Sequence, residues 1–117
     1  MPAPDPTNPP STLMLCLTTE SGPAEAEALA RQLLERGLVA CVSLREVRSL
    51  YHWRGGIETS GEVELLLKTS SARLPALEEA VRALHSYAIP EWLCWPAAAS
   101  GGYAAWAWEA TSSRSDP

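Results

Sequence analysis

At 117 residues the chain has room for a single domain. Its net charge of −5, with Lys68 as the sole lysine, argues against a nucleic-acid footprint, which needs clustered cations to meet phosphates. Cys16, Cys41 and Cys94 are an odd number at long, irregular gaps, with no C-x-x-C pair. Neither a zinc ribbon nor a disulfide framework is indicated, and reduced thiols in a cytoplasmic protein are expected.

Five of the ten prolines fall in residues 1–11, which read as a disordered Pro-rich arm, with no basic and apolar leader for export. No apolar run is long enough to span a membrane. Residues 111–117 read as a flexible polar tail, so the folded domain is expected over residues 12–110.

Thr12–Thr19 is a short apolar run of strand length. Leu13, Leu15 and Leu17 alternate with Met14 and Cys16, so both faces of this strand are apolar and both need cover. Thr18–Gly22 reads as the loop that follows. Pro23 then opens a helix over residues 23–36, with Ala26, Leu29, Ala30 and Leu33 on its apolar face and Gly37 as its stop. Leu38–Trp53 is one long extended stretch, Gly55-Gly56 a turn, and Glu62–Thr69 the returning strand, with Val63, Leu65 and Leu67 on one face. Ser70-Ser71 starts a second helix with an apolar stripe of Leu74, Leu77, Val81 and Leu84, and Pro75 must lie in its first turn. Glu91–Trp95 reads as a fourth strand ended by Pro96, and Tyr103–Ala110 as a last helix.

The order β-α-β-β-α-β plus a helix predicts an α+β, ferredoxin-like fold, with an antiparallel sheet and both long helices on one face. The other face of the first strand then needs a second subunit, so an oligomer is expected.

Ala40-Cys41-Val42, Tyr51-x-Trp53-x-Gly55-x-Ile57 with Glu62, Lys68-Thr69, His85-x-Tyr87-x-x-Pro90-Glu91 and Tyr103-x-x-Trp106 together resemble the signature of the CutA divalent-cation tolerance family, in order and at matching spacings. The resemblance implies a non-enzymatic homotrimer with its sheets facing inward, similar in architecture to PII signalling proteins, with clefts between subunits. It also implies thiols at Cys16 and Cys41 for copper binding, and Cu2+ or Zn2+ would suit thiolate with His85 as imidazole. Residues expected to line the inter-subunit cleft are Tyr51, Trp53, Lys68, His85, Tyr87 and Glu91, which would take a small anionic ligand or a partner protein. Lys68 is expected either to pair with Glu62 or Glu64 or to hold that anion. The chain departs from the family pattern at Ser86, where proline is usual, and at Ala88, where glutamate is usual. It also carries Ser43 in place of the common Asn, and Arg45-Glu46-Val47 in place of a Pro-Gly kink. Ala88 removes a natural second ligand beside His85, which favours the anion reading. Acylphosphatases share the fold, but the segment Thr18–Gly22 lacks the arginine their phosphate loop requires.

Overall fold

The computed structural model describes residues 12–112, so the expected N-terminal arm and the end of the C-terminal tail lie outside the described residues. The elements run β1 (Thr12–Glu20), α1 (Pro23–Glu35), β2 (Cys41–Trp53), β3 (Gly56–Thr69), α2 (Leu74–Leu84, entered through a short 3-10 turn), β4 (Leu93–Ala98) and α3 (Gly101–Ala110). They build one four-stranded sheet of order β2-β3-β1-β4, antiparallel throughout. This is the ferredoxin-like α+β arrangement read from the sequence. Among the described residues no helix is long and apolar enough to cross a membrane.

The ends of α1 follow from local chemistry. Pro23 supplies the first turn, where its missing N–H has no partner to lose. At the other end Gly37 adopts φ +68, and Gly37 N–H donates to Leu34 O while Leu38 N–H donates to Leu33 O, each at 3.0 Å. These paired bonds satisfy the last carbonyls of the helix and turn Leu38 back against Leu33 in the core. Pro75 lies in the first turn of α2, as its chemistry requires.

The main core lies between the sheet and α1 and α2. It takes Cys16 from β1, Val63, Leu65 and Leu67 from β3, Ala26, Leu29 and Leu33 from α1, and Leu77 and Val81 from α2. Cys16 faces the helices, and Leu15 and Leu17 therefore lie on the opposite, open face. Register places Leu15 beside Lys68 and Trp95, and Leu17 beside Leu66 and Leu93. Leu93 and Trp95 remain 50% and 40% exposed. Leu13 is covered by α3 through a small cluster with Ala40, Ala104 and Ala107.

Several boundaries differ from the sequence reading. β1 runs one residue past the expected strand, to Glu20, and Thr18, Thr19 and Glu20 are all buried, so the first three residues of the segment also read as a loop belong to the strand. β3 begins at Gly56 because its polar first half is held by pairing with β2 and not by an apolar face. The turn is Arg54-Gly55, with φ 51 and 81, the pair of left-handed residues that a two-residue hairpin with the natural strand twist demands. β4 starts two residues late and runs through Pro96 to Ala98, which an edge strand tolerates. Thr111 is not part of a loose tail. It is buried, and its hydroxyl donates to Ala107 O at 2.9 Å.

The β2–β3 hairpin outgrows the rest of the sheet. β3 pairs with β1 only from Val63 to Thr69, whereas it pairs with β2 from Gly56 to Lys68. Residues 47–62 therefore project as a two-stranded ribbon, and the molecule measures 54 × 29 × 20 Å. The ribbon carries Leu50, Trp53 and Ile57 at 65%, 54% and 74% exposure.

Candidate functional site

The densest polar network sits where β1 ends, α2 ends and the ribbon leaves the sheet. Glu20 is 1% exposed, yet its carboxylate is fully engaged. Oε1 accepts Ser21 N–H at 3.0 Å and the Ser86 hydroxyl, and Oε2 accepts Ser86 N–H at 3.0 Å. Burial alone pushes this carboxyl up. The hydrogen bonds from Ser86 and Ser21, with His85 nearby, outweigh it and hold Glu20 below the ordinary carboxylate value.

His85 is just as tightly held. Tyr87 N–H donates to Nδ1 at 3.0 Å, so that nitrogen keeps its lone pair and the ring proton is assigned to Nε2. Nε2–H then donates to Thr19 O at 2.7 Å, with Thr18 Oγ1 at 3.1 Å. Glu20 Oε2 lies 3.4 Å from Nδ1, a contact that becomes an ion pair only when the ring is protonated. The Tyr87 hydroxyl donates to Glu62 Oε2 at 2.8 Å; burial and the Glu62 carboxylate push its ionisation up. The Thr19 hydroxyl donates to Glu91 Oε1 at 3.3 Å, and Tyr51 shares a 2.7 Å hydrogen bond with Ser60 on the adjoining ribbon.

Of the residues expected in a cleft, His85, Tyr87, Glu91 and Tyr51 thus gather around one junction. Lys68 and Trp53 do not. Trp53 stands at the ribbon tip, stacked under Arg54 with the guanidinium carbon 5.5 Å from the ring centroid. Lys68 lies at the other end of β3, where its Nζ donates to Ser43 Oγ at 3.2 Å and approaches Cys41 Sγ at 3.7 Å. The expected ion pair with Glu62 or Glu64 is absent among the described residues: Tyr87 engages Glu62, and Arg45 holds Glu64 at 2.6 Å.

The thiols and the imidazole expected to take Cu2+ or Zn2+ are also kept apart. Cys16 is in the core on the helix face, Cys41 is beside Lys68 on the open face, and His85 is at the junction. Strand alternation sends Cys16 and Cys41 to opposite sides of the sheet. Both ring nitrogens of His85 already serve protein partners. These three residues therefore do not fit a shared metal ion within one chain, and no cluster of three metal-ligating side chains occurs among the described residues.

Sequence reasoning missed Glu20, Thr18, Thr19 and Ser86 as members of the network. The available signal was the Thr-Thr-Glu run continuing a buried strand, together with Ser86 supplying an N–H where the related segment carries proline.

A ferredoxin-like sheet with a bare apolar face, a long projecting hairpin and a locked His-Glu-Ser junction defines the class. Residues 14–110 match the family described as CutA1 divalent ion tolerance protein, and the chain belongs to that family. It is 38% identical over 93 residues to human Protein CutA, covering 78% of this chain and 52% of that protein. It is 40% identical over 90 residues to the Pectobacterium atrosepticum divalent-cation tolerance protein CutA, covering 76% and 80%. The solved structure of CutA from Synechococcus elongatus superposes with a TM-score of 0.85 at 37% identity, covering 87% of this chain and 92% of that one. The chain spans about half the length of the human relative.

Proposed function

We propose that this chain is a non-enzymatic, cytoplasmic homotrimer that acts in tolerance of or response to divalent metal ions. The observation that carries the assembly is the apolar surface left bare on the open sheet face and the ribbon. Covering the exposed part of Leu15, Leu17, Leu66, Leu93 and Trp95 contributes on the order of 5 kcal/mol per chain. That only matches the lower end of the roughly 4–15 kcal/mol cost of association. The ribbon residues Leu50, Trp53 and Ile57 must therefore be buried too, and an isolated two-stranded hairpin is itself marginal in water. A second copy of the chain supplies a surface of matching character to both.

Light scattering at micromolar concentration is expected to give three times the 12.6 kDa chain mass, and a monomer mass overturns the assembly. For the biological role, a cell lacking its own copy is expected to gain sensitivity to Cu2+ or Zn2+ that this chain relieves. Unchanged sensitivity overturns that role.

A second reading rests on Lys68, whose ammonium has no carboxylate partner among the described residues and lies beside the Ser43 hydroxyl. A cation so placed suits a small anionic metabolite or an acidic group of a partner, in the manner of a PII-like module. A carboxylate and nucleotide panel raises the melting temperature on this reading, and Lys68→Met abolishes the rise. Calorimetric copper binding that Cys41→Ser removes, with no anion response, favours metal over metabolite.

A further inference from the structure

The β1–β4 register sets Cys16 directly opposite Cys94. Opposed residues of antiparallel strands have Cα atoms roughly 4.5–5.5 Å apart, within the range of about 4.4–6.8 Å that a disulfide spans. Both side chains lie on the helix face, since Leu93 and Trp95, on either side of Cys94, occupy the open face. Covering the open face in an assembly therefore leaves this pair on the opposite side of the sheet. The pair is also asymmetric: Cys16 is 0% exposed in the core, whereas Cys94 is exposed on the edge strand.

We propose that Cys94 and Cys16 form a dithiol–disulfide exchange site whose substrate is a low-molecular-weight disulfide, with Cys94 attacking first and Cys16 resolving. The Cys94 thiolate attacks one sulfur of the small disulfide; that S–S bond breaks, and the departing thiolate takes up a proton. Cys16 then attacks the Cys94 sulfur of the mixed disulfide, and its proton passes to the second departing thiolate. Two protein thiols are oxidised to one disulfide, and the small disulfide is reduced to two thiols. The order follows from access, because only Cys94 meets a dissolved reagent. Burial, the adjacent Cys94 sulfur and Glu78 push the Cys16 thiol up to about 12, so it does not compete with Cys94 as the attacking thiolate. Cys41 takes no part, being on the other face beside Lys68. This inference stands independently of the proposed metal role.

The test equilibrates the full chain with glutathione disulfide, then counts free thiols after unfolding and maps the joined peptides. The titre is expected to fall from three thiols to one, with Cys16 and Cys94 in one linked peptide and no glutathionyl group retained on either. Cys94→Ser, an exposed change that leaves the core intact, is expected to form no intramolecular disulfide, while Cys41→Ser still forms it. A titre that stays at three, a stable glutathionyl group on Cys94, or a bond made only through Cys41 overturns the proposal.

Discussion

The same hairpin, β2–β3, passes through two environments. From Val63 to Lys68, β3 sits between two neighbours, and its alternate side chains Val63, Leu65 and Leu67 are buried under α1 and α2. From Gly56 to Glu62 it has one neighbour and no helix, and Ile57 is 74% exposed. Backbone pairing is continuous across both halves, so hydrogen bonding does not distinguish them. Apolar cover does. One half completes a core within the chain, and the other presents apolar side chains for a surface that the chain itself does not provide.

The contrast is broken most sharply by Leu67→Ala. It empties a fully buried site and is expected to cost about 2–5 kcal/mol in urea unfolding. Ile57→Ala, on the exposed half, is expected to leave the stability of a single chain almost unchanged and to shift only the mass seen by light scattering.

Next in size is Glu20→Ala, which strands the Ser86 and Ser21 donors beside a buried hole; roughly 1–3 kcal/mol is expected. Glu20 also sets an acid limit. Its carboxyl ionises at lower pH in the folded chain than in the unfolded one, so its contribution is present above the ordinary value near 4.5 and is lost as pH falls through the lower folded value. Wild type is therefore expected to lose stability below about pH 4.5 more steeply than Glu20→Gln, as pH-dependent thermal melts would show.

A pair of glycines sharpens the comparison further. Gly37 and Gly55 have φ +68 and +81, with open space where a Cβ would stand, so Ala at either adds backbone strain alone, about 1–2 kcal/mol. Gly37→Ala is expected to lower the melting temperature of the whole domain. Gly55→Ala is expected to accelerate amide exchange in the ribbon only. Among the substitutions expected to move the stability of the chain itself, Arg45→Ala has the smallest effect: it removes the ion pair of an exposed arginine with a partly buried Glu64 and is expected to change stability by less than about 1 kcal/mol in the same urea titration.

The helix-covered half was legible in the sequence because its signals are local. The period of Ala26, Leu29 and Leu33, the stop at Gly37 and the alternation of Val63, Leu65 and Leu67 each carry their own meaning. The open face was also legible, as an apolar face of β1 with nothing in the predicted fold to cover it. The first half of β3 was not, because Thr59-Ser60-Gly61 has no apolar rhythm and is a strand only through its partner. Pro96 misled the reading because edge position is a property of the sheet and not of the segment. The junction was half legible: His85, Tyr87 and Glu91 stand out as a cluster, but their link to Glu20 spans 66 residues from Ser86. No local pattern announces a pairing at that distance.

The last strand closes on the first, and Trp108 Nε1 donates to Thr12 O across 96 residues of chain. The β2–β3 hairpin needs only neighbours in sequence and can form within microseconds, whereas the β1–β4 seam must wait for nearly everything between. During synthesis β1 therefore emerges early and remains without one of its two strand neighbours until β4 has left the ribosome. That interval, with one edge of β1 unpaired and Leu13 not yet covered by α3, is when the nascent chain is most exposed to misassembly.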